Sequence, residues 1–454
     1  MRKQCMGRML GILFICLFLT ACGKKKKTEE PTVKGNDVIF FRDEGTYTEN
    51  YVLFLQEGSN TNLWYYDVAA GQAGPFCFDP TCDHKRAVLS MDGKVLQEGC
   101  ISYEIEPPVY PSGDYLYYCT KSPLRLYRTD RQGNHQEILA EPNKPYGFII
   151  TAFFTDEAAY ISYQTAYEYT AVTNNSGETE WRAGGLKEKA EAGLLRIPLD
   201  GGKEEVIFRS DDYYDMTVYD FKYHDGKLRF LAFGTDCPSE AFSDLDIMNP
   251  DDRRFLNEHT VDEGYEYTVN TGELRQLFHF SQHTASYFFD DCYGILDDDE
   301  RLILYRYDGE KVSESEIVNI SCMVSDHGII AYDLKNKIYI QLNEADGSIA
   351  KKSTFSWTDF MLDVVVGNSC FGRIQTASGE LVRAYISVDD FWSGKKEGIV
   401  PFFVEKNSIY GNHSYQLNPD FDIEKKWKRL AEETSSHVDL FGSANKQIQE
   451  WLQK

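Results

Sequence analysis

The chain has 454 residues, of which 42% are hydrophobic, so it is long enough for one large domain or for two or three average domains. Its formal net charge of -25 at pH 7 repels phosphate backbones, which argues against a DNA- or RNA-binding protein. Aromatic residues make up 14%, with 30 Tyr and 28 Phe, and this composition favours β structure. A solvated acidic surface is the simplest interpretation of the charge, and a face that binds cations is the alternative.

The N-terminal 21 residues have the pattern of a signal peptide. Arg2, Lys3 and Arg8 precede MLGILFICLFLTA, an apolar run too short to span a bilayer comfortably. The run ends in LTAC, Leu19 to Cys22, which resembles the lipobox of bacterial lipoproteins. The resemblance implies that Cys22 receives a diacylglyceryl group, becomes the new N-terminus and anchors the protein to the outside of the cell membrane through acyl chains such as palmitate. An ordinary signal peptide or an uncleaved anchor is the alternative.

Residues 22–37 are expected to be a flexible tether. The segment GKKKKTEEPTVKGND is charged and polar and has no apolar period. Its lysines, Lys24 to Lys27, are placed either to contact anionic lipid headgroups or to act as a solvated spacer. No later stretch contains 18 consecutive apolar residues, so a second membrane span is not expected.

Residues 38–410 alternate apolar and polar residues in short runs separated by Gly, Asn and Asp. The recurring unit is a Tyr- or Leu-rich strand, a polar turn and another apolar strand, as in LLRIPLDGGKEEVIF and YEYTVNTGELRQLF. Seven such units match four-stranded blades of roughly 40–50 residues. The sequence therefore predicts an all-β protein, a β-propeller with seven blades. Six or eight blades also fit the spacing, and an array of two-sheet sandwiches is the other architecture considered.

Two polar insertions and a helical tail depart from this pattern. Residues 168–193 and 236–264 break the strand pattern and are expected to form loops or short helices on one face of the ring. The last segment, 411–454, has two amphipathic stripes and is predicted to form short C-terminal helices. These helices either pack on the flank of the propeller or dock a partner.

Eight of the 11 cysteines remain after Cys5 and Cys16 leave with the signal peptide and Cys22 is lipidated. Four of the eight lie in or beside apolar strands and are interpreted as small buried hydrophobic residues, namely Cys119, Cys292, Cys322 and Cys370. Cys237 lies in a polar insertion, and its context predicts nothing specific.

The other three cysteines form a candidate metal site with one histidine. Cys77, Cys82, His84 and Cys100 follow the pattern C-x4-C-x-H-x15-C, and three thiolates with one imidazole can complete a tetrahedral structural zinc site. A disulfide, Cys82 to Cys100 or Cys77 to Cys100, is the rival, because an extracytoplasmic domain permits oxidation. Free thiols are the third possibility, and the sequence leaves all three open.

The lipobox, the tether, the repeated hairpins and the turn with Cys77, Pro80, Cys82 and His84 followed by Cys100 resemble surface lipoproteins of gut-type Firmicutes. Those proteins carry a β-propeller of the TolB-like or PQQ-like sort. The resemblance implies a cell-surface propeller and no catalytic residues.

The sequence contains no G-x-S-x-G elbow, H-E-x-x-H, G-x-G-x-x-G or Walker loop. Runs of carboxylates at 212–215 and 296–302 and aromatic clusters at 64–66, 115–118 and 213–214 are interpreted mainly as solvated turns and propeller core. The sequence favours a non-catalytic binding or scaffold protein for a peptide, glycan or protein partner. The alternative is a carbohydrate-active enzyme that uses carboxylates at the central channel. A solute-capture lipoprotein is disfavoured, because long helical patterns are missing.

Overall fold

The computed structural model of the chain describes residues 39–405, with gaps at 43–44, 57–61, 78–81, 83–84, 86–87, 90–94, 98–99, 101, 103–104, 106–107, 122–123, 131–134, 143–147, 166–168, 174–178, 184–188, 239–240, 242–244, 246–248, 282–284, 298–300, 319 and 376–380. The expected signal peptide (1–21), tether (22–37) and C-terminal helices (411–454) lie outside the described residues and stay predictions. Within the described part, no helix has the length and hydrophobicity needed to cross a bilayer.

The strands of the first four blades follow one another along the chain. Blade 1 comprises β1 (Phe40–Arg42), β2 (Gly45–Tyr47), β3 (Tyr51–Gln56), β4 (Asn62–Asp67) and β5 (Gln72–Pro75). A small hairpin follows, made of β6 (Val88–Leu89) and β7 (Val95–Gln97). Blade 2 comprises β8 (Tyr110–Ser112), β9 (Tyr115–Lys121), β10 (Leu124–Asp130) and β11 (Glu137–Ala140). Blade 3 comprises β12 (Phe148–Phe154), β13 (Ala158–Gln164), β16 (Ala192–Pro198) and β17 (Glu205–Ser210), and the hairpin β14 (Tyr169–Thr173) and β15 (Thr179–Ala183) is inserted within it. Blade 4 comprises β18 (Asp215–His224), β19 (Lys227–Thr235), β20 (Thr260–Thr268) and β21 (Glu273–Phe280), with helix α1 (Pro250–Glu258) between β19 and β20.

Three further blades complete the described chain. Blade 5 comprises β22 (Ser286–Phe288), β23 (Cys292–Leu296), β24 (Arg301–Arg306) and β25 (Lys311–Val318). Blade 6 comprises β26 (Ile320–Ser325), β27 (Ile329–Asp333), β28 (Ile338–Leu342) and β29 (Ile349–Lys352). Blade 7 comprises β30 (Met361–Val366), β31 (Ser369–Gln375), β32 (Leu381–Ser387) and β33 (Val400–Glu405), with the short helix α2 (Val388–Ser393) between its last two strands. The prediction of a seven-bladed, nearly all-β propeller is confirmed.

The alternation seen in the sequence is the alternation of burial in the strands. In β32 every second residue of LVRAYIS is buried, because successive side chains of a strand point to opposite faces of the sheet. The predicted hairpin turns are also present. Gly272 and Gly309 adopt positive φ values of 71° and 91° in the turns NTGE and YDGE, a backbone conformation that glycine reaches without steric cost.

The second polar insertion is shorter than the sequence suggested. We expected it to extend to residue 264, but β20 already begins at Thr260. The difference arises because β20 carries carboxylates that are buried inside the sheet rather than solvated. Asp262, Glu263 and Glu266 are only 1%, 7% and 3% exposed. The sequence TVDEGYEYT by itself resembles a polar loop, because the basic residues that pair with its carboxylates lie in neighbouring strands.

One hydrophobic cluster fills each of the seven contacts between neighbouring blades. The cluster between blades 4 and 5 is the smallest of these, with four buried members, Leu231, Phe278, Tyr293 and Ile295. The other six clusters each bury nine or more hydrophobic residues. Burial of apolar surface therefore holds the ring together, although the contact between blades 4 and 5 has more partly buried hydrophobic residues, six, than fully buried ones.

An ionic network around the buried pair Arg229 and Glu266 stabilises the contact between blades 4 and 5. Arg229 of blade 4 places its guanidinium 3.7 Å from the ring centroid of Tyr307 in blade 5 and donates to the Glu266 carboxylate at 3.1 Å. Lys227 and Arg275 also contact Glu266, at 3.1 and 2.8 Å. Burial opposes ionisation of Glu266, but the hydrogen bond from Lys227 and the three positive charges outweigh it and lower the pKa of the carboxyl. Glu266 thus fixes the Arg229 side chain against blade 5.

The substitution Glu266→Gln is expected to lower the free energy of unfolding by about 3 kcal/mol at pH 7, because it leaves Arg229 buried without its counter-charge. Since folding lowers the pKa of Glu266 below its ordinary value of 4.5, the contribution of its charge is complete above that pH and is lost as the pH falls through the folded-state value. The difference between wild type and variant, measured by urea denaturation from pH 7 to pH 3, should therefore shrink in acid. The control is Glu310→Gln, which breaks an exposed pair with Arg306 and should cost less than about 1 kcal/mol. Equal effects of the two substitutions would contradict the network.

Candidate functional site

The two faces of the ring carry different connections. Each blade is an antiparallel meander. Counted outwards from the inner strand of each blade, which is β2 in blade 1, the connections after the second and fourth strands share one face, and the turns after the first and third strands share the other. The long connections 76–109, 165–191 and 236–259 all belong to the first group. We call their side the loop face and the opposite side the turn face. The prediction that the polar insertions lie on one face is confirmed by this topology. The expectation of loops or short helices holds for the second insertion, which contains α1, but is wrong for the first, which contains the hairpin β14–β15.

The first strand, β1, lies in the central channel. It pairs antiparallel with β2, the inner strand of blade 1, and it contacts β30, the inner strand of blade 7. Its Phe41 ring lies 5.4 Å from that of Phe153 and 5.9 Å from that of Phe154, both in blade 3. Because β1 runs opposite to β2, its first residue lies towards the turn face. The chain therefore enters the ring from the side opposite the long connections.

A cavity of about 540 Å³ occupies the channel beside β1. Its lining comes mainly from first strands and the residues next to them. Seven aromatic residues contribute to it, namely Phe41, Phe153, Tyr219, Phe221, Tyr287, Phe288 and Phe289. Thr151, Ser321 and Ser325 also line it. The volume falls within the range of small-molecule sites, and the mixture of aromatic rings with a few polar groups is typical of them.

A β-bulge shapes one wall of this cavity. Four consecutive residues, Tyr219 to Lys222, line it, although in a regular strand alternate residues point away. The pairing of β18 with β19 shifts register between Tyr219 and Lys222, and Asp220 has a φ of 50°. A non-glycine residue in this left-handed region costs about 1–3 kcal/mol, and such strain concentrates at functional sites. The bulge brings both aromatic and charged side chains to one wall.

The charged groups of this wall are fixed by their surroundings. Lys222 is 2.7 Å from the Asp290 carboxylate, and its side chain is 15% exposed. Burial, together with the nearby charges of Asp262 and Asp220, raises the pKa of Tyr219 above its ordinary value, so its hydroxyl stays protonated. Among the described residues of the lining, Asp220 contributes the one carboxylate. The wall therefore offers a hydroxyl donor, a carboxylate acceptor and an ammonium group beside aromatic rings.

The candidate metal site is partly assembled. The Sγ atoms of Cys77, Cys82 and Cys100 all lie within 4.8 Å of one another, although Cys100 is 23 residues from Cys77 in the sequence. A tetrahedral zinc ion with sulfur ligands holds them about 3.8 Å apart, so three thiolates fit such an ion with small adjustments. His84, the fourth predicted ligand, lies outside the described residues. The zinc site and the rival disulfide both stay predictions.

The surroundings of Cys100 favour a fixed thiol. Cys100 is 3% exposed, and its Sγ lies 3.1 Å from the Ser102 hydroxyl. The backbone N–H of Cys100 donates to the carbonyl of Lys85 at 2.8 Å, and this hydrogen bond joins the two arms of the Cys loop (76–109). A metal bound here would crosslink the loop face at the junction of blades 1 and 2.

The structure shows which of the other cysteines and aromatic clusters are buried. Cys119, Cys292 and Cys370 are buried as expected, and burial raises the pKa of each thiol. Cys322 is half-buried and lines the cavity, a position that the sequence did not indicate. Of the aromatic clusters, residues 64–66 are core, as predicted.

Sequence reasoning missed the aromatic cavity. Part of its lining lies in YDFK (219–222), which alternates in polarity like an ordinary strand, and part lies in SYFF (286–289), where three consecutive aromatic residues do not alternate. The aromatic run in SYFF was the available signal, and it marks the short first strand β22, whereas the bulge of β18 left no such signal in the sequence. The predicted carboxylate run at 296–302 contributes no described group to the lining, because Asp297 pairs with Arg301 at 2.7 Å and residues 298–300 lie outside the description.

No protein-family model and no curated protein matches the sequence. Among solved structures, the fold is similar to that of a puromycin-hydrolysing peptidase of Mycobacterium tuberculosis, with 10% identity, 77% of this chain and 51% of that chain covered, and a TM-score of 0.41. Dipeptidyl peptidase 4 of Porphyromonas gingivalis shows 9% identity, coverage of 79% and 53%, and a TM-score of 0.41. BamB of Moraxella catarrhalis shows 14% identity, coverage of 74% and 81%, and a TM-score of 0.32. The chain spans about half the length of the two peptidases, and these likenesses concern the fold alone.

The test of the Cys loop uses the reduced chain with Cys237, the thiol of the blade 4 insertion, changed to serine. If the Cys loop binds zinc, this protein should bind Co²⁺ with a thiolate-to-cobalt charge-transfer band, and adding Cys100→Ser should remove that band. Zinc should also raise the melting temperature of the Cys237→Ser protein but not that of the double variant, because metal binding stabilises the folded state. Cys119→Ser, in a buried strand, is the matched control and should keep the band. Thiol counts that fall by two under air, with no cobalt band after reduction, would identify the disulfide instead.

Proposed function

We propose that the protein is a lipid-anchored binding propeller on the outer side of a bacterial cell membrane, which recognises a peptide, glycan or protein partner through the aromatic cavity. The cavity is the observation that carries this proposal. Its volume of about 540 Å³ accommodates one or two sugar rings or a large peptide side chain. Aromatic rings stack on the apolar faces of such groups, and the neighbouring hydroxyl and charged groups of the wall select their polar edges.

The geometry supports binding better than glycoside hydrolysis. That reaction commonly needs two carboxyl groups about 5–9 Å apart on either side of the scissile bond. Asp220 is the one carboxylate in the described lining, and the nearby Asp290 is engaged by Lys222 at 2.7 Å. No observation in the described cavity favours the carbohydrate-active enzyme over the binding protein.

The direction of β1 indicates which face of the ring would lie nearer the membrane. Residues 1–38 precede β1, and β1 enters the channel from the turn face. A lipid on Cys22 followed by a short tether would therefore hold the turn face towards the membrane. The three long connections of the loop face would then point outwards, where loops on a rigid scaffold meet partners.

The substitution Phe221→Ala should weaken binding of a cavity ligand at least about tenfold, because it removes a ring whose burial is worth about 1.5–3 kcal/mol. The ligand is first found by thermal-shift screening of the chain from residue 22 with Cys22→Ser, against soluble oligosaccharides and short aromatic peptides. Its affinity for each variant is then measured by isothermal titration calorimetry.

Two variants make this test specific. Asp220→Gly removes the carboxylate, and glycine adopts the φ of 50° without strain, so a loss of affinity there reports binding rather than misfolding. Tyr115→Ala truncates an aromatic residue that is 42% exposed outside the cavity and should leave the affinity unchanged. Binding that survives both Phe221→Ala and Asp220→Gly would rule out the cavity as the site.

The substitution Cys22→Ser should move the protein from the membrane fraction to the medium, because it removes the sulfur that carries the lipid. Fractionation of bacterial cells expressing the full chain, together with incorporation of labelled palmitate, measures this change. Cys16→Ser, in the apolar part of the signal, is the matched control and should leave both membrane attachment and labelling unchanged. A Cys22→Ser protein that is still labelled and still sedimented with membranes would contradict the anchor.

A further inference from the structure

The insertion of blade 4 carries a second cluster of metal-ligating groups, far in sequence from the Cys loop. Ligand atoms of Asp236, Cys237 and His259 all lie within 4.8 Å of one another. Asp236 and Cys237 directly follow β19, and His259 directly precedes β20. The cluster therefore sits at the base of the insertion, where its two ends meet on the loop face.

The backbone holds these three residues in place. The β19–β20 ladder ends at the pair Thr235 and Thr260, and the N–H of Asp236 continues it by donating to the carbonyl of His259 at 3.0 Å. The carbonyl of Cys237 accepts from the Thr235 hydroxyl at 3.3 Å. Ligands attached to the end of a regular ladder keep their separation without help from a metal, which is the condition for a preorganised site.

The histidine ring is also fixed. His259 caps the C-terminus of α1, and its ring lies 4.4 Å from that of Phe255, one turn earlier in the helix. Its Nδ1 is 2.6 Å from Oδ1 of Asp236, and the two side chains are 33% and 52% exposed. The site is open to solvent, so an ion can enter without unfolding the loop.

The three donors suit a particular class of ion. We propose that Asp236, Cys237 and His259 form a site for a zinc-class divalent ion, independent of the Cys loop, which clamps the two ends of the 236–259 insertion. Thiolate, imidazole and carboxylate together are ligands of zinc, whereas calcium and magnesium prefer oxygen alone. A tetrahedral ion sets nitrogen and oxygen ligands about 3.3 Å apart, so the contact between His259 and Asp236 opens by less than about 1 Å when the ion replaces their shared proton. Water fills the fourth position.

The test uses Co²⁺ as a probe of the reduced chain from residue 22, with Cys22→Ser and with Cys77, Cys82 and Cys100 all changed to serine. This protein should still bind about one equivalent of Co²⁺ and show a thiolate-to-cobalt charge-transfer band. Adding Cys237→Ser, a change of a single atom, should abolish the band. Adding His259→Ala instead should weaken Co²⁺ binding at least about tenfold. Asp251→Asn with Asp252→Asn, on exposed carboxylates of α1, is the control for nonspecific surface binding and should change neither the band nor the affinity.

A second measurement keeps the proposal testable if the triple-serine protein does not fold. In the wild-type background, Cys237→Ser should lower the bound cobalt by about one equivalent while circular dichroism shows the same fold. The proposal is overturned if the charge-transfer band survives Cys237→Ser in the triple-serine protein, or if cobalt stoichiometry in the wild-type background does not change.

Discussion

Closure of the ring between blades 1 and 7 is the constraint on which the structure depends. Each described blade is built from consecutive chain, so no strand of one terminus completes the sheet of the other. Closure depends instead on side chains. Tyr66 stacks on Phe402 with ring centroids 4.0 Å apart and an interplanar angle of 8°, and Phe54 packs on Phe403 at 5.0 Å. The burial of these rings holds the two ends of the described domain together.

Polar contacts set the register of that closure. The Glu49 carboxylate accepts from the N–H of Asn368 at 3.1 Å, and the Ser369 hydroxyl donates to the carbonyl of Glu49 at 2.7 Å. Both contacts lie at the turn face, 319 and 320 residues apart in the chain. Loop-closure entropy grows slowly with length, so such distant contacts are affordable once the intervening blades are stacked. The inner strands are then aligned, and a channel exists.

β1 fills only one side of the central channel, and the other side forms the aromatic cavity. β1 occupies the side next to blades 1 and 7, and the cavity remains beside the first strands of blades 3 to 6. Phe41 belongs both to β1 and to the cavity lining. A ligand in the cavity would therefore contact β1, the strand that follows the proposed tether. Filling the cavity would bury more of that ring, so a ligand would also stabilise β1.

Much of the fold was predictable because each blade is local in sequence. Alternation of polarity marks the strands, and Gly in turns such as NTGE marks the hairpins, so seven blades could be predicted, although six and eight also fitted the spacing. The convergence of Cys77 and Cys82 was also visible in their spacing. The burial of the acidic residues of β20 was not visible in the sequence. The partners of Glu266 come from β19 and β21, and only the folded sheet brings them together. The cavity was missed for a related reason, since β1 and the first strands of blades 3 to 6 form it together and it belongs to no single blade.

The loop face shows how such a fold acquires function without disturbing its core. A long connection adds little to the free energy of closing a stacked ring, but it loses entropy when it orders for binding. Among the described residues, two clusters of metal-ligating groups contain thiols, and they lie in long connections, one in 76–109 and one in 236–259. A crosslink within such a loop would remove part of its freedom before a partner arrives, and preorganisation of this kind raises affinity without new contacts. The blades are rigid because they bury aromatic rings, and a metal ion bound to either cluster would extend that rigidity to the loop face.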